Sequence, residues 1–135
     1  MTESIDRLSR MMPDAWRIFF RQRRPTAIQL EAMPVLVRGG SALLSGPTAS
    51  GKTEAVVAPL FQRHISFHPR HLSVVYLAPT KALVNDMFER LTVYFTNSPP
   101  GIIQRYTGDH HEFSDESDGF MLVATPEALD SLQLM

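Results

Sequence analysis

The 135-residue chain contains no cysteine, and this absence removes two kinds of chemistry at once. Without thiols the chain can form neither disulfides nor a thiolate metal site. It also lacks any apolar run near the roughly 18 residues that a membrane-spanning helix needs. The N-terminal residues lack the basic and apolar regions of a secretory signal peptide. These absences predict a cytoplasmic protein, and the length allows one domain with a hydrophobic core.

Net positive charge is lacking as well, since the formal net charge is −1 at pH 7. This balance excludes the overall basic character that is typical of many nucleic-acid-binding domains. The charges are nevertheless unevenly spread: seven arginines lie among residues 1–40, and no lysine or arginine follows Arg105. Two interpretations remain open for the arginines from Arg17 to Arg24. They form an ordinary solvated surface, or they face a polyanion.

What the sequence does contain is a stretch of the form G-x-x-x-x-G-K-T at residues 46–53. Glycines allow the backbone to turn its N–H groups inward around phosphate oxygens. A helix that starts at the same point adds the positive end of its dipole. Lys52 could then contact the β- and γ-phosphates, and the Thr53 hydroxyl could bind Mg²⁺. The apolar run of residues 41–45 predicts a strand before this loop, and residues 52–63 predict a helix after it.

A second informative stretch precedes the loop. Thr26 is followed three residues later by Gln29, a capping box that predicts a helix ended by Gly39-Gly40. Gln29 has two open interpretations. Its amide could serve only as a helix cap, or its donor and acceptor could pair with the two-sided edge of adenine. Further upstream, Pro13 predicts the first turn of another helix. The aromatic residues of that helix are interpreted as core packing: Trp16, Phe19 and Phe20.

The histidines after the predicted helix raise the possibility of a metal site. His64 and His68 have the spacing of two ligands on one helix face. Pro69 lies next to them, however, and no carboxylate is close in sequence. We therefore interpret the segment that holds these histidines and His71 as a surface connection.

Beyond residue 71 the sequence alternates between strand and helix patterns. Three strands are predicted, the first of them buried on both faces: residues 72–78, 102–106 and 120–124. Each strand ends in a polar turn: residues 79–81, 107–109 and 125–127. Helices follow the first and last turns. The order predicts a parallel sheet with right-handed crossovers, with these turns and the phosphate loop at its carboxyl edge.

Together these stretches resemble the superfamily-two DEAD/DEAH-box helicases. Five of them follow the order of that family's Q motif, motif I, motif Ia, glycine-containing motif and motif Ib: Pro25-Thr26-x-Ile28-Gln29, Gly46–Thr53, Ala78-Pro79-Thr80-Lys81-Ala82-Leu83, Thr107-Gly108-Asp109 and Ala124-Thr125-Pro126-Glu127. The resemblance implies an α/β fold of the P-loop NTPase (RecA-like) class, with three layers around a parallel sheet that is incomplete here. Lys81-Ala82-Leu83 in place of the commoner Arg-Glu-Leu, together with Glu54, leans toward the Lhr-like branch.

The resemblance also implies a role for each matched residue, with ATP and Mg²⁺ as cofactors and nucleic acid as partner. Gln29 would read adenine, with Phe19 or Phe20 packed on the base, while Lys52 and Thr53 would hold phosphates and Mg²⁺. The ATP-binding residues would be Gln29, Gly46, Pro47, Thr48, Ala49, Ser50, Gly51, Lys52 and Thr53. The residues along a nucleic-acid backbone would be Thr80, Lys81, Gly108, Thr125 and Glu127. Such contacts read no bases, so DNA and RNA remain equally open.

One departure from the family pattern limits this prediction. The family carries an Asp-Glu pair after motif Ib that positions Mg²⁺ and activates water. Here the only such pair, Asp115-Glu116, precedes motif Ib, in a polar stretch at residues 110–118 that is predicted to be a mobile loop. We therefore predict a fragment, with a helical lead-in at 1–24 and a partial helicase ATP-binding domain at 25–135. It would be inactive alone and completed by the rest of the helicase core, in cis or in trans.

Two other classes of protein remain open. Another P-loop NTPase, such as a kinase or transport ATPase, would explain residues 46–53 but would leave the three later turns without a role. A non-catalytic or split-subunit binding module for nucleotide and nucleic acid would need a second chain to supply the carboxylates.

Overall fold

The computed structural model describes residues 2–67, 71–111 and 119–132. The chain divides into two compact units, Met1–Phe67 and His68–Met135. Most of the predicted mobile loop, including Asp115-Glu116, lies outside the described residues. Within the described ranges, no helix has both the length and the apolar composition needed to cross a membrane.

The regular structure of the first unit consists of helices: α1 (Thr2–Met11), α2 (Pro13–Phe19), α3 (Ala27–Val37) and α4 (Lys52–Phe67). Helix α4 packs against α2 and α3, and α1 packs against α3. The apolar faces of these helices form a buried core that includes Leu8, Met12, Met33 and Val57. The predicted start signals are confirmed, because α2 begins at Pro13 and α3 is capped by Thr26.

The short helix α2 is tied to α4 by one side chain. Gln62 in α4 accepts hydrogen bonds at Oε1 from the backbone N–H groups of Asp14 (2.9 Å) and Ala15 (3.0 Å). Its Nε2 donates to Asp14 Oδ2 at 3.0 Å. The first N–H groups of a helix have no partner within the helix itself. Gln62 therefore supplies, across 48 residues of sequence, the cap that α2 lacks locally.

Helix α4 is longer than its sequence indicates. The sequence predicts an end at residue 63, yet the helix continues past Pro59 to Phe67. A proline removes one backbone hydrogen bond, and Pro59 is itself buried, so its packing helps to offset that loss. His64 consequently lies inside the helix at 2% exposure, with its ring centroid 6.4 Å from that of Phe61. Its assignment to a surface connection is wrong.

The predicted strand at residues 41–45 is also wrong. The segment has no regular secondary structure, and Leu43 is 98% exposed. A strand requires a neighbouring backbone to pair with its N–H and C=O groups. Within the described ranges the sheet consists of three strands, none of which includes this segment. An apolar run of this length is compatible with a strand but does not by itself produce one.

The second unit is an α/β structure with the elements β1 (Val74–Leu77), α5 (Lys81–Tyr94), β2 (Ile103–Tyr106), β3 (Met121–Ala124) and α6 (Pro126–Leu132). The strands are parallel, as predicted, in the order β1-β3-β2. Helix α5 packs against β2 and β3 through Val84 and Leu91, which are fully buried. The central strand β3 is buried along its whole length.

Strand β1 is more exposed than predicted. Val75 and Leu77 lie on one face of the strand and are 43% and 50% exposed, so only the alternate residues are covered. Helix α5 packs chiefly on β2 and β3, and β1 lies at the edge of the described sheet. The continuous apolar run indicates burial on both faces, whereas in the structure one face is half-buried and the other is exposed.

Candidate functional site

The glycine-rich loop at residues 46–53 folds back on itself at the start of α4. Ala49 and Gly51 both have left-handed backbone conformations, with φ of 67° and 88°, and the Ser50 N–H donates to the Pro47 carbonyl at 3.3 Å. Helix α4 then begins at Lys52, and the Ala55 N–H donates to the Gly51 carbonyl at 3.0 Å. Successive turns of this kind direct backbone N–H groups into one concavity, which binds anions.

The capping box of α3 holds this loop in place. The Thr26 hydroxyl donates to the Ser50 carbonyl at 2.8 Å, and Gln29 Nε2 donates to the Gly51 carbonyl at 3.1 Å. Gln29 Oε1 meanwhile accepts from the Thr26 N–H at 2.8 Å, which completes the box. Gln29 is thus both a helix cap and a clamp on the loop. The capping motif predicted the first role but gave no signal for the second.

Gly51 is required by this arrangement on two grounds. Its φ of 88° is a conformation that side-chain-bearing residues rarely adopt. A Cβ at this position would also collide with Gln29 Nε2 and approach Thr26 Oγ1 to 3.0 Å. Backbone conformation and close packing therefore both select glycine here.

Two polar side chains of the loop could donate hydrogen bonds to an anion. Lys52 Nζ donates to the Gly46 carbonyl across the loop. Within the described part of the chain, Ser50 Oγ is buried without a hydrogen-bond partner. A buried hydroxyl without a partner is costly, and an acceptor oxygen in the loop would relieve that cost. Lys52, Ser50 and the first N–H groups of α4 therefore form a donor set that fits a polyphosphate.

The second unit contains a cleft of about 570 Å³ at the carboxyl edge of its sheet. Four of the five residues that were predicted to contact a nucleic-acid backbone line it: Lys81, Gly108, Thr125 and Glu127. Thr80 does not line the cleft, and its hydroxyl accepts from the Leu83 N–H at 3.2 Å as the cap of α5. The structure thus brings together residues that are up to 46 positions apart in the sequence, as the parallel topology requires.

Lys81, which lines the cleft, is held by a carboxylate. Lys81 Nζ lies 3.4 Å from Asp109 Oδ2, and both side chains are more than half exposed. Gly108 leaves room for this lysine, because a Cβ there would lie 3.3 Å from Lys81 Nζ. The ammonium group therefore has a partner that a phosphate could replace.

The aromatic pair Tyr106–His111, which the sequence did not single out, forms part of the wall of the same cleft. The two rings are stacked, with centroids 4.6 Å apart and planes inclined by 14°. Tyr106 is the last residue of β2, and His111 pairs with it through an isolated antiparallel bridge. The sequence contains one indication of this pair, because a tyrosine directly precedes the Thr107-Gly108-Asp109 turn. The motif gives no indication that His111 stacks on that tyrosine.

Phe19 and Phe20 occupy the core rather than a base-binding surface. They are 2% and 5% exposed, and the Phe20 ring lies 4.8 Å from that of Trp16. A base could stack on either ring only after the ring was uncovered. Among the arginines from Arg17 to Arg24, Arg17 forms an ion pair with Asp14 at 2.7 Å.

The carboxylate and imidazole side chains of the described ranges are not grouped as the ligands of a metal ion would be. Within residues 2–67, 71–111 and 119–132, no three His, Asp or Glu side chains come together as a ligand set.

The parallel strand–turn–helix order and the glycine-rich loop at the start of α4 define an α/β protein of the P-loop NTPase class. Comparison with known proteins then narrows the class. The DEAD/DEAH box helicase family matches residues 26–134, and the chain belongs to that family.

Two relatives show the range of proteins to which the chain is similar. The ATP-dependent RNA helicase DBP3 of Debaryomyces hansenii is 29% identical over 110 residues, which are 80% of this chain and 21% of that protein. The ATP-dependent DNA helicase MER3 of Saccharomyces cerevisiae is 28% identical over 126 residues, which are 90% of this chain and 10% of that protein. The chain thus spans about a fifth or less of the length of these relatives.

A solved structure supports the fold. The crystal structure of a hypothetical ATP-dependent RNA helicase from Sulfolobus tokodaii matches 98% of this chain and 36% of that one, with a TM-score of 0.63 and 20% sequence identity. At this identity the likeness concerns the fold alone, and it agrees with a RecA-like architecture with an incomplete sheet.

Proposed function

We propose that this chain is the ATP-binding and nucleic-acid-binding portion of an ATP-dependent helicase, in which ATP hydrolysis drives movement along or opening of a nucleic-acid duplex. The observation that carries the proposal is the glycine-rich loop that folds back on itself at the start of α4, in a chain whose family match extends over residues 26–134. The cleft of the second unit supports the nucleic-acid part of the proposal.

ATP is proposed to bind with its phosphates in the loop formed by residues 46–53. The Ser50 hydroxyl and the Lys52 ammonium group would donate to phosphate oxygens, and Thr53 would hold Mg²⁺ together with those oxygens. Gln29 would contact adenine. A glutamine amide carries two hydrogens and two acceptor lone pairs. The clamp on Gly51 and the cap on Thr26 use one of each, which leaves one donor and one acceptor for the base once this buried side chain, 5% exposed, is uncovered.

Nucleic acid is proposed to bind along the carboxyl edge of the second unit. The contacting residues would be Thr80, Lys81, Gly108, Thr125 and Glu127. In this proposal Lys81 exchanges the Asp109 carboxylate for a phosphate, and the N-terminus of the 14-residue helix α5 adds backbone donors. The relatives named above include an RNA helicase and a DNA helicase, so the proposal extends to both kinds of strand.

For domain organisation we propose a helical lead-in at residues 1–24 and part of a RecA-like ATP-binding domain at residues 25–135, in a cytoplasmic protein. The remainder of the helicase core would come from another segment or another chain and would supply the carboxylates that activate water. The chain by itself is expected to bind ATP weakly and to hydrolyse it negligibly.

The test is the binding of MgATP to the 135-residue chain, measured by titration calorimetry, in the native sequence and in Lys52→Ala. We expect the variant to lose at least about 10-fold in affinity, because a charge-assisted hydrogen bond is worth about 1.5–3 kcal/mol. Arg10→Ala removes an exposed arginine from α1 and serves as the matched control, with unchanged affinity. Equal affinities for the native chain and Lys52→Ala would contradict the proposed role of the loop.

A further inference from the structure

The cleft of the second unit contains an aromatic surface that has no role in the proposed contacts to the nucleic-acid backbone. His111 is exposed, Tyr106 is half-buried, and their rings are stacked at 4.6 Å between centroids. Tyr106 therefore backs one face of the imidazole, while His111 presents the outer surface of the stack. The two rings line the cleft together with Lys81 and Gly108.

The turn that presents this pair is fixed by hydrogen bonds. Thr107 is fully buried, and its hydroxyl accepts from the N–H groups of Asp109 (3.2 Å) and His110 (3.1 Å). Its own N–H donates to the His110 carbonyl at 2.8 Å. Ordering of a recognition loop normally counts against binding. Here the turn is already ordered by its own contacts, so little of that cost remains to be met when a ligand arrives.

We infer that His111, backed by Tyr106, is a stacking platform for a nucleobase of single-stranded nucleic acid whose phosphates lie against Lys81. This inference rests on the nucleic-acid function proposed above and adds a base contact to it. Flat aromatic rings bind unstacked bases in many single-strand-binding proteins, and the cleft volume of about 570 Å³ lies within the range of ligand sites.

The platform would have a distinct effect on recognition. Phosphate contacts do not require the bases of the strand to be accessible. Stacking on His111 requires a base that has left its own stack, so it favours single strands over duplexes. Because every base has a flat face, the contact carries little preference among base sequences. The cleft would thus distinguish the state of the strand and not its sequence.

The experiment compares base-bearing with abasic strands. Binding of the 135-residue chain is measured by fluorescence anisotropy to labelled oligouridylate and oligothymidylate, each matched by a fully abasic strand of the same sugar, length and phosphate count. His111→Ala removes the platform, and His111→Phe retains a flat ring. His71→Ala is the matched control, since His71 is exposed near the opposite, amino end of β1 in the same unit.

We expect the native chain to bind base-bearing strands more tightly than abasic ones. His111→Ala should weaken binding to base-bearing strands by about 5- to 150-fold, the equivalent of roughly 1–3 kcal/mol per stacked base, without changing binding to abasic strands. His111→Phe should restore the difference, and His71→Ala should preserve it. Comparison of the uridylate and thymidylate results shows whether RNA and DNA bases are both accepted.

A measurement on the native chain guards against misfolding of a variant. Proton NMR signals of the His111 ring should move upfield when a base-bearing strand is added, as expected for a ring lying over a base, and should not move upfield with the abasic strand. No upfield shift with either strand would overturn the inference.

The contrary outcomes separate the inference from the proposed function. If His111→Ala lost affinity equally for base-bearing and abasic strands, the Tyr106–His111 stack would only support the turn, and the inference would be overturned. If the native chain bound base-bearing and abasic strands with equal affinity, the inference would also be overturned. The proposed contacts to the nucleic-acid backbone would not be contradicted. Failure of the native chain to bind any strand would contradict the inference and the proposed nucleic-acid function together.

Discussion

The loop of the first unit and the cleft of the second are both rich in polar groups, but they satisfy those groups differently. The loop at residues 46–53 is closed by internal contacts: Thr26 and Gln29 hold its carbonyls, and Lys52 spans it to Gly46. The cleft is open, and its main internal charge contact is the exposed pair Lys81–Asp109. The loop is therefore sensitive to any change in shape, whereas the cleft should respond mainly to changes in charge.

Gly51→Ala is expected to have the largest effect on stability, and it tests whether the loop is more sensitive to shape than the cleft. The left-handed backbone and the collision with Gln29 Nε2 should destabilise the chain by about 1–3 kcal/mol and should disrupt MgATP binding. Gly108→Ala is the matched control, because its Cβ meets only the flexible end of Lys81 at 3.3 Å, and a change within about 0.5 kcal/mol is expected. Urea denaturation measures both. Equal destabilisation by the two variants would contradict the proposed difference between loop and cleft.

A smaller effect is expected when the clamp is removed and the loop backbone is kept. Gln29→Ala loses the cap to Thr26 and the hydrogen bond to the Gly51 carbonyl, which should cost about 1–2 kcal/mol and reduce the preference for ATP over GTP. Thr80→Ala in the second unit loses a helix cap without any clamp, so about 1 kcal/mol is expected. Urea denaturation and competitive nucleotide binding are the measurements.

A second variant separates the two roles of Gln29. Gln29→Glu keeps an acceptor for the Thr26 N–H but places a carboxylate oxygen against the Gly51 carbonyl. It should therefore retain the helix cap and lose the clamp. If Gln29→Glu and the native chain had equal stability and nucleotide preference, the clamp would have no energetic importance.

The smallest effect is expected at the surface of the cleft. Lys81→Ala should weaken nucleic-acid binding and reduce the salt dependence of log K by about 1, because one phosphate contact is lost. Asp109→Asn should act in the opposite direction, since it frees the lysine from a carboxylate 3.4 Å away. Binding measured across a series of salt concentrations tests both variants. An unchanged slope in Lys81→Ala would argue against a phosphate contact at this residue.

Features that depend on neighbouring residues in the sequence were predicted well. The starts of α2, α3, α4 and α5 followed from Pro13, Thr26, the glycine-rich loop and Thr80, each of which acts within one helical turn. The parallel sheet followed from the alternation of strands and helices. The family resemblance rested on these same local stretches, and it was confirmed by the family match.

Features that depend on distant contacts were predicted poorly. The apolar run at residues 41–45 has the composition of a strand but does not pair with any of the described strands. Strand β1 is exposed on one of its two faces. Helix α4 continues beyond Pro59, and that residue is packed in the interior. The clamp of Gln29 on Gly51 joins residues 22 positions apart. Nothing in the local pattern specifies which distant group a capping side chain will also reach.

The hydrogen bonds from α2 to Gln62 have a consequence for the order in which the first unit folds. Helix α2 has seven residues, too few to persist on its own in water. Its early N–H groups at Asp14 and Ala15 are satisfied by a side chain of α4, so they acquire their partner only when α4 has docked. Hydrogen exchange at these two amides therefore reports on separation of α4 from α2 and not on fraying of a short helix.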